Sequence, residues 1–212
     1  MTVSTFNTDK DSKIQGAPEF AHHINYGSAP SLRCSVLYSG ESKTGWERGI
    51  IEFDISFLDG ETLTAAKLTL PVPSTTNDGE TVKVSRITRA GDWPEGTVDW
   101  VHYDHTSGTW TDAGADFDHT GPPAGFTFLI PASSGDLELT DSELLTLCDD
   151  ALDNHSGILS LLIYLSDEDP GEDTVLNWTA ATTTLEITWT GDDLPERSYP
   201  RGVGRGVGRG VL

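Results

Sequence analysis

The segment from Glu47 to Leu70, E-R-G-I-I-E-F-D-I-S-F-L-D-G-E-T-L-T-A-A-K-L-T-L, constrains the fold more tightly than any other stretch of the chain. Ile51, Phe53 and Ile55 alternate with Glu52, Asp54 and Ser56, the period of two required of a strand with one buried face. Ala66, Leu68 and Leu70 alternate with Lys67 and Thr69 in the same way. Between the two runs, Leu58-Asp59-Gly60-Glu61 supplies an Asp-Gly pair that tolerates positive φ. The segment predicts two adjacent strands of a β-sandwich, each with a dry face and a wet face.

The remaining chain carries the same grammar. Strands are predicted at Ser31–Leu37, around Val82, Val84 and Ile87, at Val175–Trp178 and at Thr183–Thr190. Ile158–Leu165 is a nearly continuous apolar run, expected of a strand buried on both faces. The one helical pattern lies between Asp141 and Leu152. There Leu144, Leu145, Leu147, Cys148, Ala151 and Leu152 share a stripe, and Thr140 or Asp141 can cap the first turn. Val101–Gly125 is polar and irregular, a long excursion expected at one end of the sandwich, and long loops of this kind are often functional. The domain therefore spans residues 1–190, and 191–212 form a linker and an extended arm.

Charge narrows the partners. The chain has 34 acidic and 13 basic residues, a net charge of −21. This argues against nucleic acid or anionic membrane, because phosphate binding needs Lys and Arg. No apolar run approaches the roughly 18 residues of a membrane span. Met1-Thr2-Val3-Ser4 lacks the basic start and apolar core of a signal peptide, so synthesis in the cytoplasm without one is expected. Cys34 and Cys148 lie on different predicted elements without CxxC spacing, and are expected as buried free thiols rather than a bridge. Four of the basic residues, Arg197, Arg201, Arg205 and Arg209, fall in the last 16 residues, the last three of them in the terminal Arg-Gly-Val-Gly repeat. So glycine-rich a repeat builds no core of its own. A basic arm on an acidic body is expected to dock onto neighbouring proteins, either copies of this chain or other components of an assembly.

Several motifs in order resemble one family. Asn25-Tyr26-Gly27-Ser28 with Leu32-Arg33 is followed by Glu52-Phe53-Asp54-Ile55, Leu58 and Thr64-Ala65-Ala66-Lys67-Leu68-Thr69-Leu70. Trp93-Pro94-Glu95-Gly96-Thr97-Val98-Asp99-Trp100, Phe126–Pro131 and a closing strand at Leu185–Trp189 complete the series. Together they resemble the DNRLRE-type domain over roughly residues 8–190, with a longer 101–125 insertion and the arm as departures. The resemblance implies an all-β jelly-roll β-sandwich, here with one short helix and an extended C-terminal arm. Such modules are related to carbohydrate-binding modules and also occur in phage structural proteins.

Two functional expectations follow. The first is a non-enzymatic virion structural protein on the surface of an extracellular particle: a capsid decoration, head-fibre or tail-associated protein that assembles through the arm. Its partners would be copies of itself, other virion proteins and host-surface glycans. The alternative is a carbohydrate-binding module, with Trp110 and Tyr103 as stacking residues. The loop carboxylates Asp9, Asp11, Asp104, Asp116 and Asp118 are candidate ligands for a structural Ca²⁺, which takes six to eight oxygens. The acidic loop Asp167–Asp173 is a second candidate. Trp93 and Trp100 are read as core. His102, His105 and His119 fit no familiar metal spacing. Glu52, Asp54 and Glu95 are the carboxylates nearest to a hydrolytic pairing. No Ser-His-Asp order, phosphate loop or HExxH element is present.

Overall fold

The structure, a computed structural model, describes residues 1–16, 31–88, 93–95, 97–103, 108–111, 114–118 and 125–191. Two curled antiparallel sheets face each other, giving the all-β, jelly-roll-like sandwich expected. The smaller sheet runs in the order β1 (Thr2–Asn7), β13 (Thr184–Thr190), β5 (Thr62–Val72) and β10 (Gly135–Leu139). The larger runs β6 (Ser74–Thr76), β12 (Thr174–Trp178), β3 (Leu32–Ser39), β4 (Ser42–Asp54), β11 (Ile158–Leu165), β7 (Thr81–Ile87) and β8 (Phe117–Asp118). In addition, β2 (Lys10–Gly16) pairs with β4, and β9 (Phe126–Leu129) pairs with β7.

The alternation in the central segment is correct, but the pairing expected from it is not. β4 and β5 are not adjacent strands: β4 bonds to β2, β3 and β11, whereas β5 bonds to β13 and β10. After β4 the chain makes a 3₁₀ turn at Ser56–Leu58, then reverses at Gly60 with φ +84°, and so crosses from one layer to the other. Alternation reports which residues face the core, and a hairpin and an arch between sheets give the same pattern. The N-terminus makes a second crossing that the sequence reading leaves out. β1 belongs to the small sheet and β2 to the large one. Thr8 Oγ1 donates to Ala180 O at 3.2 Å and Asp9 N to Glu52 O at 2.8 Å at the corner between them.

The main core lies between the sheets and takes Ile51, Phe53 and Ile55 from β4, Leu68 and Leu70 from β5, and Leu185 and Ile187 from β13. Helix α1 (Ser142–Asn154) packs against β5 and β11 and adds Leu144, Leu147, Cys148 and Ala151. Its first turn is capped by the Asp141 side chain, which accepts from Glu143 N at 2.9 Å. Gly49 is required by close approach, since a Cβ there would collide with the Trp178 ring. Cys34 on β3 and Cys148 on α1 are buried free thiols, and burial raises the pKa of both.

The outer face of the large sheet is not wet. A second apolar cluster covers it, joining Ile14, Ile50, Ile87, Leu162 and Tyr164 of the strands to Trp93, Val98, Trp100, Trp110 and Ala115. Glu52, expected in solvent, is 1% exposed beneath this layer, and only Asp54 of the pair is open. The described part of the excursion is therefore a third layer laid over the sheet rather than an ornament at one end. It explains why β11 is apolar on both faces.

Candidate functional site

The indoles of the third layer hold its described turns together. Trp110 Nε1 donates to Asp99 O at 2.9 Å, and its ring meets Tyr103 edge-on at 5.7 Å. The buried Asp99 carboxylate accepts from Val101 N and His102 N, both at 2.7 Å, and faces His102 Nδ1 at 3.2 Å. Trp110 is 4% exposed, so it offers no open face for a sugar, and the half-buried Tyr103 packs on it. The burial is a consequence of hydrogen bonding: an indole N–H satisfied by a backbone carbonyl is more stable inside than out. Trp93 and Trp100 are buried, but in the outer cluster rather than in the core between the sheets expected from the sequence. His102 is engaged by Asp99, whereas His105 and His119 lie outside the described residues.

The candidate calcium ligands are dispersed. Asp9 is exposed at the corner, Asp11 is on β2, and Asp116 is buried with its carbonyl accepting from Thr88 N at 3.0 Å. Asp104 and the side chain of Asp118 lie outside the described residues. Among the described residues no three His, Cys, Asp or Glu converge. The acidic loop after β11 is tied to the sheet. Glu168 receives Arg48 at 2.8 and 3.0 Å, Asp169 receives Tyr38 OH at 2.6 Å, and Asp173 receives Tyr38 N at 2.6 Å.

Asp11 has a testable electrostatic signature. Burial, and then the charge of Glu95, raise its carboxyl from the ordinary 3.8 to about 6. The folded chain thus holds a proton that the unfolded chain releases, and stability falls as pH rises from about 3.8 to about 6. Asp11→Asn removes that loss. Its melting temperature exceeds that of the wild type at neutral pH and matches it in acid, below the ordinary carboxylate range. Paired thermal melts check both.

Charged side chains under the sheets neutralise one another. Glu47, 2% exposed, receives Arg33, Lys13 Nζ at 2.8 Å and Ser35 Oγ at 2.8 Å. Glu52 receives Lys10 Nζ at 2.6 Å and the hydroxyl of Ser160, which in turn accepts from Trp93 Nε1 at 3.3 Å. Arg48 lies against Trp100, Phe117 and Tyr164 and donates to Gly114 O at 2.7 Å. These groups join strands and layers. A groove of about 490 Å³ on the small sheet beside α1 includes Lys67, held between Glu138 at 3.0 Å and Glu186 at 2.7 Å.

Open apolar surface concentrates elsewhere. Four large apolar residues are exposed among the described residues: Met1 at 92%, Val3 at 61%, Phe57 at 55% and Leu129. The first two belong to the β1 edge. Phe57 stacks on Phe6 of β1 at 6.0 Å and on Trp189 of β13 at 6.2 Å. Among the described residues β1 is an edge strand, bonded to β13 on one side. Its sequence T-V-S-T-F-N contains no charge and no proline, the devices that usually protect an edge. The sequence reading missed this surface, although a six-residue uncharged alternating run in so acidic a chain was the available signal. Gly191, the last described residue, follows β13 at the end where Trp189 opposes Thr2. Arg197, Arg201, Arg205 and Arg209 lie beyond it, outside the described residues. The chain matches no protein-family model and no curated protein.

Proposed function

We propose that this is a non-enzymatic structural protein of a virion, a capsid decoration, head-fibre or tail-associated component that assembles through its C-terminal arm. The observation that carries the reading is the gathering of exposed apolar side chains, Met1, Val3 and Phe57, around an unprotected strand edge beside the point where the arm departs. Isolated exposed apolar residues need no explanation, but a group at an open edge marks an interaction surface. The resemblance to DNRLRE-type modules supplies the virion context, since such modules occur in phage structural proteins. The charge contrast between arm and body favours docking onto acidic neighbours.

Calcium-dependent carbohydrate binding through Trp110 and Tyr103 is the alternative. It requires the third layer to open, because Trp110 is buried against Tyr103 and Asp99. The two readings separate on particle occupancy. Removing residues 196–212 is expected to abolish incorporation into particles while leaving the sandwich folded. Undiminished occupancy by the truncated protein counts against the arm.

A further inference from the structure

We infer that the open edge of β1 is the receptor for the arm of a second copy of this chain, which adds as an extra strand to the four-stranded sheet. This rests on the proposal that the arm mediates assembly, and it names the surface the arm takes. Strand addition draws affinity from main-chain hydrogen bonds and specificity from alternate side chains, so it needs an edge with free bonding capacity and a segment of matching period. β1 supplies the edge: six residues, about 20 Å of backbone, uncharged and bonded to β13 on one side.

The arm supplies the period. In an extended strand, Arg201, Val203, Arg205, Val207, Arg209 and Val211 project to one side, and the intervening glycines leave the other side bare up to Leu212. The outer face of the receptor sheet fits the first side. Val3 is exposed there, and Glu186 stands opposite Thr5 on the neighbouring strand. The glycine side fits the other face, where the rings of Phe6 and Phe57 occupy the rim and leave little room for side chains. Residues 192–212, extended, reach about 70 Å, far beyond the edge they are to cover.

The donor is a second copy because of chain direction. β13 ends where β1 begins, so an arm that turns straight back onto its own β1 runs parallel to it, and the antiparallel sense would need a second reversal. On another copy the antiparallel sense of every described pairing is open.

The test uses the full chain at rising concentration, with sedimentation velocity and amide hydrogen exchange. Association is expected to slow exchange within residues 2–7. Val3→Lys with Thr5→Lys, both at exposed positions, is expected to weaken association by roughly tenfold or more, because edge lysines block strand addition. Arg201→Glu, Arg205→Glu and Arg209→Glu together are expected to do the same. Association that needs the arginines but leaves residues 2–7 unprotected overturns the receptor and spares the arm. A full chain that stays monomeric at every concentration overturns both self-docking and this receptor.

Discussion

Replacing Glu47 with alanine is expected to destabilise the protein by about 3–5 kcal/mol, the cost of removing one partner from a buried ion pair. The carboxylate meets both Lys13 and Arg33, and it also accepts from Ser35. Without it, the Lys13 and Arg33 cations lose the carboxylate that they share. The wild-type network already registers the tension between them: burial, and then the charge of Arg33, lower the Lys13 ammonium from 10.5 to about 8. A base with a lowered folded-state pKa gains stability as pH rises between the two values. The wild type is therefore expected to gain stability on going from pH about 8 towards 10.5. Chemical denaturation at neutral and alkaline pH measures both. A variant within about 1 kcal/mol of wild type, the range of exposed pairs, shows instead that water reaches this network.

Trp93→Ala carries a comparable effect, again about 3–5 kcal/mol, for loss of a fully buried indole. Trp93 is wholly buried, its N–H bonds to Ser160, and Lys10 Nζ lies 5.5 Å from its ring. Ser160 and Lys10 both serve Glu52, so removing the indole exposes the pair that joins β2 to β4. Hydrogen exchange is expected to accelerate in β2 and in the half of β4 that it covers, more than in the small sheet. If the Trp93–Trp100 segment lay loosely on the sheet rather than forming a layer, the midpoint of unfolding would not move.

These two sites also mark what the sequence discloses. Alternation at Ile51–Ile55 and Ala66–Leu70 identified the strands and their inward residues, and Asp141 was legible as a cap. Partner choice was not legible, because pairing within a sheet and crossing between sheets impose the same period of two. The buried charges were misplaced for a related reason. Glu52 reads as solvent-facing until the Trp93–Trp100 segment, distant in sequence, is laid over it. Ile158–Leu165 carried the clue, since a strand apolar on both sides needs a cover on each. The open edge is quieter still, since T-V-S-T-F-N signals by the charges it lacks.

Assembly of the acidic sandwich through its basic arm can be read from sedimentation velocity of the full chain beside a chain ending at Pro195, with circular dichroism to verify that both are folded. The full chain is expected to associate and the shortened one to stay monomeric, with the same β-rich spectrum. Identical sedimentation of the two folded proteins would contradict it.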